Sequence, residues 1–331
     1  MNSRKSWIVT AFLGLAAVLI GGVLLSLDHE SEAPSLVQYQ AHYIDAGAML
    51  RLTETLSSDA LEGRATGTRG NEAARDFIQK RFETLGLNRY GTSFIHPFTA
   101  MPDADDAMPV NGANVVGWIE GDSDGPALLI TAHYDHLGII DGEIYNGADD
   151  NASGTAALVA LAHYFSHHKP VHDIVFVALD GEEVGLLGAH ALVADSSVPM
   201  GRVALNLNFD MVSRSDAGEL YVAGPFHYPF LLPLVERVAA EAPVMVIPGH
   251  DDPALGVQDD WTTQSDQSVF RDIGIPFLFF SVENHAGYHQ PSDDYVNITP
   301  DFFARVGDTL VMAALAADAE LDVIAGETAG D

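Results

Sequence analysis

Six short, largely apolar runs, residues 114–119, 127–131, 174–179, 203–209, 220–223 and 276–281, alternate with helical patterns at 153–167, 186–194, 229–242, 265–273 and 300–321. Strands that are apolar on both faces need a covering layer on each, and helices between them supply those layers. The spacing therefore predicts an α/β fold, a three-layer sandwich around a largely parallel central sheet. Upstream, helices are expected at 43–56 and from an Asn71 N-cap to residue 85, where Gly86 stops the second. A strand is expected at 94–98 and an acidic loop at 102–111, and no repeat of 20–50 residues is visible.

The ends of these runs carry the chemistry. His133 and Asp135 follow the run at 127–131, Asp150 precedes the helix at 153–167, Glu182 and Glu183 follow 174–179, Asp210 follows 203–209, and His289 lies soon after 276–281. Open α/β sheets bind ligands at the carboxyl ends of their strands, so five such endings point to a single site. Taken singly, each has a plainer reading. His133 suits a hydrogen-bonded strand-end histidine, Asp150 a helix cap in competition with Asn151, and Glu182 and Glu183 first-turn acids of the next helix. Together, two His, two Asp and one Glu suit a pair of divalent cations. Asp150 has two oxygens with which to bridge them, and Asp135, two residues beyond His133 on an extended chain, is placed to accept the other ring N–H. Glu182, beside the ligand Glu183, is the natural general base.

The chain has no cysteine, so thiolate sites and thiol nucleophiles are excluded and any metal must sit on His and carboxylates. That donor set fits zinc, with manganese or cobalt as alternatives. Acids outnumber bases 47 to 15, a formal charge of −32, which makes nucleic acid an unsuitable partner. No Gly-x-Ser-x-Gly elbow follows a strand, which argues against a serine hydrolase.

Arg4 and Lys5 precede an uncharged apolar stretch from Trp7 to Leu27, and acids follow it. Residues 1–28 are expected to be a membrane anchor, with a cleaved signal segment as the rival reading. A tether at 29–42 then leads to a body at 43–325 outside the cytoplasm, periplasmic or extracellular.

In its motifs the chain resembles the co-catalytic dizinc aminopeptidases, the family of secreted bacterial leucyl aminopeptidases and vacuolar aminopeptidase Y. The resemblance rests on His133-Tyr134-Asp135, on Asp150 to Gly154, on Glu182 to Gly188, on Asp210-Met211 and on His289, with Leu61 to Arg64 and Gly274-Ile275-Pro276 as flanking signatures. It covers most of the chain from about residue 50 to residue 321. The resemblance implies a single zinc-exopeptidase domain with two zinc ions and peptide substrates. Asp150 would bridge, Glu183 and His289 would complete one ion, and His133 and Asp210 the other. Glu182 would be the base and Asp135 the partner of His133, while Tyr288 and Tyr228 are candidates for an assisting tyrosine. One departure is Ser265-Asp266-Gln267, where many relatives have Ser-Asp-His. Alternatives on the same fold are a glutaminyl cyclase with one zinc, a non-catalytic ectodomain lacking ligands, and a carboxypeptidase. The last would need a cation such as Arg202, Arg214 or Arg271 for the substrate carboxylate. Segments 103–106 and 248–261 are expected to rim the cleft.

Overall fold

The computed structural model describes residues 38–102 and 108–328. After the helices α1 (Ala46–Leu56) and α2 (Arg69–Leu85) come strands β1 (Ile95–Ala100), β2 (Val110–Ile119) and β3 (Ala127–His133). A small hairpin of β4 (Gly138–Ile140) and β5 (Glu143–Tyr145) leads to α3 (Gly154–His167), β6 (Asp173–Leu179), α4 (Leu187–Ala194) and β7 (Val203–Phe209). The chain continues through β8 (Glu219–Ala223), α5 (Leu232–Glu241), β9 (Met245–Pro248), α6 (Gln267–Asp272), β10 (Phe277–Ser281) and α7 (Pro300–Thr328).

Eight strands form one sheet in the order β1-β2-β6-β3-β7-β10-β8-β9 among the described residues. Its centre, β6-β3-β7-β10, is parallel throughout, whereas β2 pairs with β6 and β8 with β10 in antiparallel fashion. The flanks are thus mixed, and the parallel strands are the ones that carry the functional endings.

Side chains of the central strands alternate between two apolar layers, as the two-residue period of a strand requires. Leu128, Ile130 and Ala132 pack with residues of α1, α2, α3, α5 and α7, such as Leu158, Phe303 and Leu310. Ala127 and Leu129 face the other way, onto Ala189 and Leu192 of α4 and Val269 and Phe270 of α6. At about 1.5–3 kcal/mol for each fully buried Leu, Ile or Phe side chain, burial on both faces holds the sheet between its helix layers. An unpaired charge at Leu129 or Ile130 would be stranded there.

Several boundaries differ from expectation. Thr68, not Asn71, caps α2: its Oγ1 accepts the Asn71 amide, and Asn71 lies buried inside the helix, donating from Nδ2 to Asp180 and to the Arg64 carbonyl. Gly86 does end that helix, in the left-handed conformation at φ 73°. The β2 strand begins at Val110, inside the stretch expected to be loop, while β9 and the β4–β5 hairpin are too short to give a readable pattern.

The described part of the expected tether is bound to the body. The Asp301 carboxylate accepts the amides of Gln38 and Tyr39, and Asp308 accepts those of His42, Tyr43 and Ile44 and the Tyr39 hydroxyl. The expected anchor at 1–28 lies outside the described residues, as does the segment 103–106. Among the described residues no helix is long and apolar enough to cross a membrane.

Candidate metal centre

Four adjacent parallel strands deliver the site. His133 is the last residue of β3, Asp210 directly follows β7, Glu182 and Glu183 lie in the turn after β6, and His289 lies in the loop after β10. Asp150 comes from the irregular turn ahead of α3.

Two donors on one tetrahedral zinc, each about 2.0–2.1 Å from it, stand roughly 3.3 Å apart. His133 Nε2 is 3.4 Å from Asp150 Oδ1 and 3.2 Å from Asp210 Oδ1. His289 Nε2 is 3.1 Å from Asp150 Oδ2 and 3.3 Å from Glu183 Oε2. These spacings are those of donors able to share an ion, and the two histidines approach different oxygens of Asp150. All five residues expected to ligate metal converge here.

Asp150 is free for this because its neighbours take the structural work. Asn151 Oδ1 accepts the Gly154 amide at the start of α3 and also the Met211 amide, which ties this turn to the one carrying Asp210. Asp293 accepts the amides of Asp149 and Asp150. Buried Asp149 accepts from Ser213 and lies 3.0 Å from His285 Nε2. Beneath the turn the fully buried Arg64 donates to the carbonyls of Leu56, Tyr134, Asn146 and Gly147. Met211 and His289 both sit at positive φ, 57° and 52°, a strained choice for side chains of this size and one that clusters at functional sites.

Concentrating acids out of water shifts their titration. Burial raises Asp150, with Glu183 adding to the effect, and burial raises Glu182 well above the usual range, with Asp266 and Asp210 adding. Burial, reinforced by Asp135, lifts Asp180 to about 7, and burial near Asp135 and Asp210 lifts Asp266 to about 8. Both oxygens of Asp266 are buried without a hydrogen-bond partner. For Glu183 burial works upward, but the contacts to His136 and His289 outweigh it and hold the carboxyl below the usual range. Burial works against charge on His289 as well, yet Asp150 and Glu183 raise it to about 10. His133 is likewise held well above its ordinary value, against burial, by Asp210 and Asp135. Buried charges in such number need pairing or a metal.

Asp135 serves two neighbours. His133 Nδ1 lies 3.2 Å from the Asp135 carbonyl oxygen and 3.7 Å from its carboxylate. That carboxylate also accepts the amides of Glu182 and Glu183, at 3.1 and 3.3 Å, and so fixes their turn. His136 went unassigned in the sequence; it is buried, with Nδ1 2.7 Å from Glu183 Oε1. Its only sequence signal is its place three residues after His133.

A cavity of about 70 Å³ opens beside the centre, lined by Asp150, Glu182, Glu183 and Asp210 and walled by Met211, Trp261, Phe279, Val282 and Tyr288. Trp261 bears out part of the expected rim at 248–261. Tyr288 stacks on His289 at 3.9 Å, whereas Tyr228 packs against Phe230 and Phe277 away from the cavity wall. Arg202 pairs with Asp173 at the opposite end of β6, and Arg271 pairs with Asp272. Among the described residues that line the cavity, none is Lys or Arg.

Residues 114–314 match peptidase family M28. A probable zinc metalloprotease of Pyrenophora tritici-repentis is 32% identical over 75% of this chain and 63% of its own length. Aminopeptidase YwaD of Bacillus subtilis is 31% identical over 57% of this chain and 40% of its own length. The chain thus spans less than two thirds of either relative. Among solved structures, a zinc aminopeptidase from Bacillus subtilis superposes with a TM-score of 0.68 at 17% identity, over 84% of this chain and 96% of that one.

Proposed function

Because the chain belongs to peptidase family M28, we propose that the centre is that of a zinc-dependent aminopeptidase, which removes N-terminal residues from peptides using two ions and a glutamate base. The observation that carries this reading is the division of Asp150 between two histidines, with His133, which also meets Asp210, beside Oδ1, and His289, which also meets Glu183, beside Oδ2. When bound, zinc would supply Lewis-acid polarisation of a carbonyl oxygen and a lowered water pKa.

The chain's own groups do the rest. The Glu182 backbone is fixed by Asp135, while its side chain lines the cavity. Its carboxylate takes a proton from the attacking water and returns it to the leaving amine. Burial, with the acids around it, also raises the Tyr288 hydroxyl, which stays protonated as a donor facing the site. The acidic floor receives the ammonium of a peptide N-terminus, and the apolar wall receives the first side chain. A carboxypeptidase would need a cation where this cavity offers carboxylates. A non-catalytic ectodomain would lack a ligand or the base, and this chain carries a residue suited to each role.

The test is hydrolysis of aminoacyl amides by the full chain, with free and N-acetylated amines, before and after chelation and zinc readdition. Cleavage of free amines alone, lost with zinc and restored by it, is expected; cleavage of acetylated amides at the same rate would overturn the exopeptidase reading. The stretch from Trp7 to Leu27 supports a membrane-tethered body outside the cytoplasm, and protease treatment of intact cells that left the body uncut would contradict that placement.

A further inference from the structure

His136 shares a metal-competent cluster with Asp150 and Glu183, yet neither the motif pattern nor the reading above gives it work. We infer that it is a positioning residue, whose Nδ1–H donates to Glu183 Oε1 and so turns Oε2 toward His289. The inference rests on the metal centre proposed above.

Distances separate this role from ligation. The four ligand pairs stand 3.1 to 3.4 Å apart, the spacing of donors that share an ion. His136 Nδ1 stands 2.7 Å from Glu183 Oε1, the length of a charge-assisted hydrogen bond, and 3.8 Å from Asp150 Oδ2, beyond that spacing. Glu183 has distinct partners for its two oxygens, His136 on Oε1 and His289 on Oε2. The carboxylate is an acceptor only, so the proton belongs on Nδ1 of His136.

The surroundings hold the ring to this task. The His136 side chain is fully buried, and its Nε2 has no hydrogen-bond partner. Gly147 lies over the ring, where a Cβ would come within 2.5 Å of the ring carbons. The His136 amide points to the Arg64 carbonyl at 3.4 Å, so the loop held by Arg64 also sets the height of the imidazole. Glu183 is then fixed twice, its amide by Asp135 and its carboxylate by His136. Partners of this kind, which orient a ligating carboxylate, are worth about 10–100-fold in metal affinity.

The experiment measures both zinc affinities of the chelator-stripped full chain by competition with a chromophoric chelator, for the unsubstituted protein and for His136→Phe, His136→Asn and His136→Gln. His136→Phe keeps the ring and removes the donor; it should weaken one constant about 10–100-fold and leave the other unchanged. His136→Asn places an amide near the Nδ1 position and should restore most of the loss, whereas His136→Gln places it near Nε2 and should not. If His136→Phe does not fold, Asn against Gln carries the same comparison. Equal constants in all variants would overturn the inference. So would X-ray absorption of the metal-loaded His136→Asn protein showing one nitrogen ligand fewer, since that makes His136 a ligand. Absence of zinc binding by the unsubstituted chain would overturn the metal centre itself, and this inference with it.

Discussion

The two halves of the proposed metal centre would share Asp150 but are built from different material. His133 and Asp210 stand at the ends of adjacent parallel strands, and their side chains are 1% and 12% exposed. The His133 carbonyl accepts from Thr155 and its Nδ1 faces the Asp135 carbonyl, so the ring is set by the strand and by α3 together. Glu183 and His289 stand on turns, and His289 is 39% exposed at a positive φ. A group that must be ordered on binding gives up part of its interaction energy as lost freedom. The strand-built half should therefore hold its ion more tightly, and the loop-built half depends on polar supports such as His136 and Asp135.

The largest effect should come from removing what the halves share. Asp150→Ala is expected to lose both ions and all measurable turnover, with metal content by elemental analysis as the check; retention of one full equivalent would break the bridging role. Next is Glu182→Gln, which belongs to neither half. It should lower kcat about 10²–10⁴-fold, the usual worth of a general base, with both zinc ions retained. A matching loss of metal would show that Glu182 ligates rather than transfers protons.

His289→Ala against His133→Ala sharpens the contrast itself. The first should release only the weaker ion, whereas the second should abolish the tighter one. Identical affinity profiles in the two variants would erase the distinction.

The smallest effect is a proton count. Without metal, Asp150 and Glu183 hold His289 near 10, so at pH 7.5 its ring carries a proton that zinc must displace. The sign follows from the raised value: release accompanies zinc uptake at neutral pH and falls away as pH rises through about 10 for His289. Calorimetry in buffers of different ionisation enthalpy measures it, and zinc uptake at pH 7.5 without proton release would contradict the protonated state of His289.

The candidate ligands were legible as a group because four stand at or soon after the end of an apolar run and Asp150 stands just ahead of a helix, and the covering helices were legible because their period differs from that of the strands. What was not readable depends on chain segments meeting at long range. Asp135 was expected beside His133, but its contacts to the Glu182 and Glu183 amides across the sheet have no mark in strand alternation. Arg64 was noted only as part of a signature, although its guanidinium gathers carbonyls from residues 56, 134, 146 and 147. Asp180, which accepts from Thr66, Asn71, Ala113 and Tyr134, likewise has no periodic mark. Gln267, where relatives carry His, donates to the Trp261 carbonyl and accepts from Asn208, so this departure lies in the support of the cavity wall and not in the ligand set.

The most direct measurement is a stepwise zinc titration of the chelator-stripped full chain, following bound metal and hydrolysis of a free aminoacyl amide together. Two equivalents are expected, the first at least about tenfold tighter than the second, a difference of about 1.4 kcal/mol, with full activity only at the second. A single equivalent that restores full activity, or two ions bound with equal affinity, would contradict a shared centre with one rigid and one loop-built half.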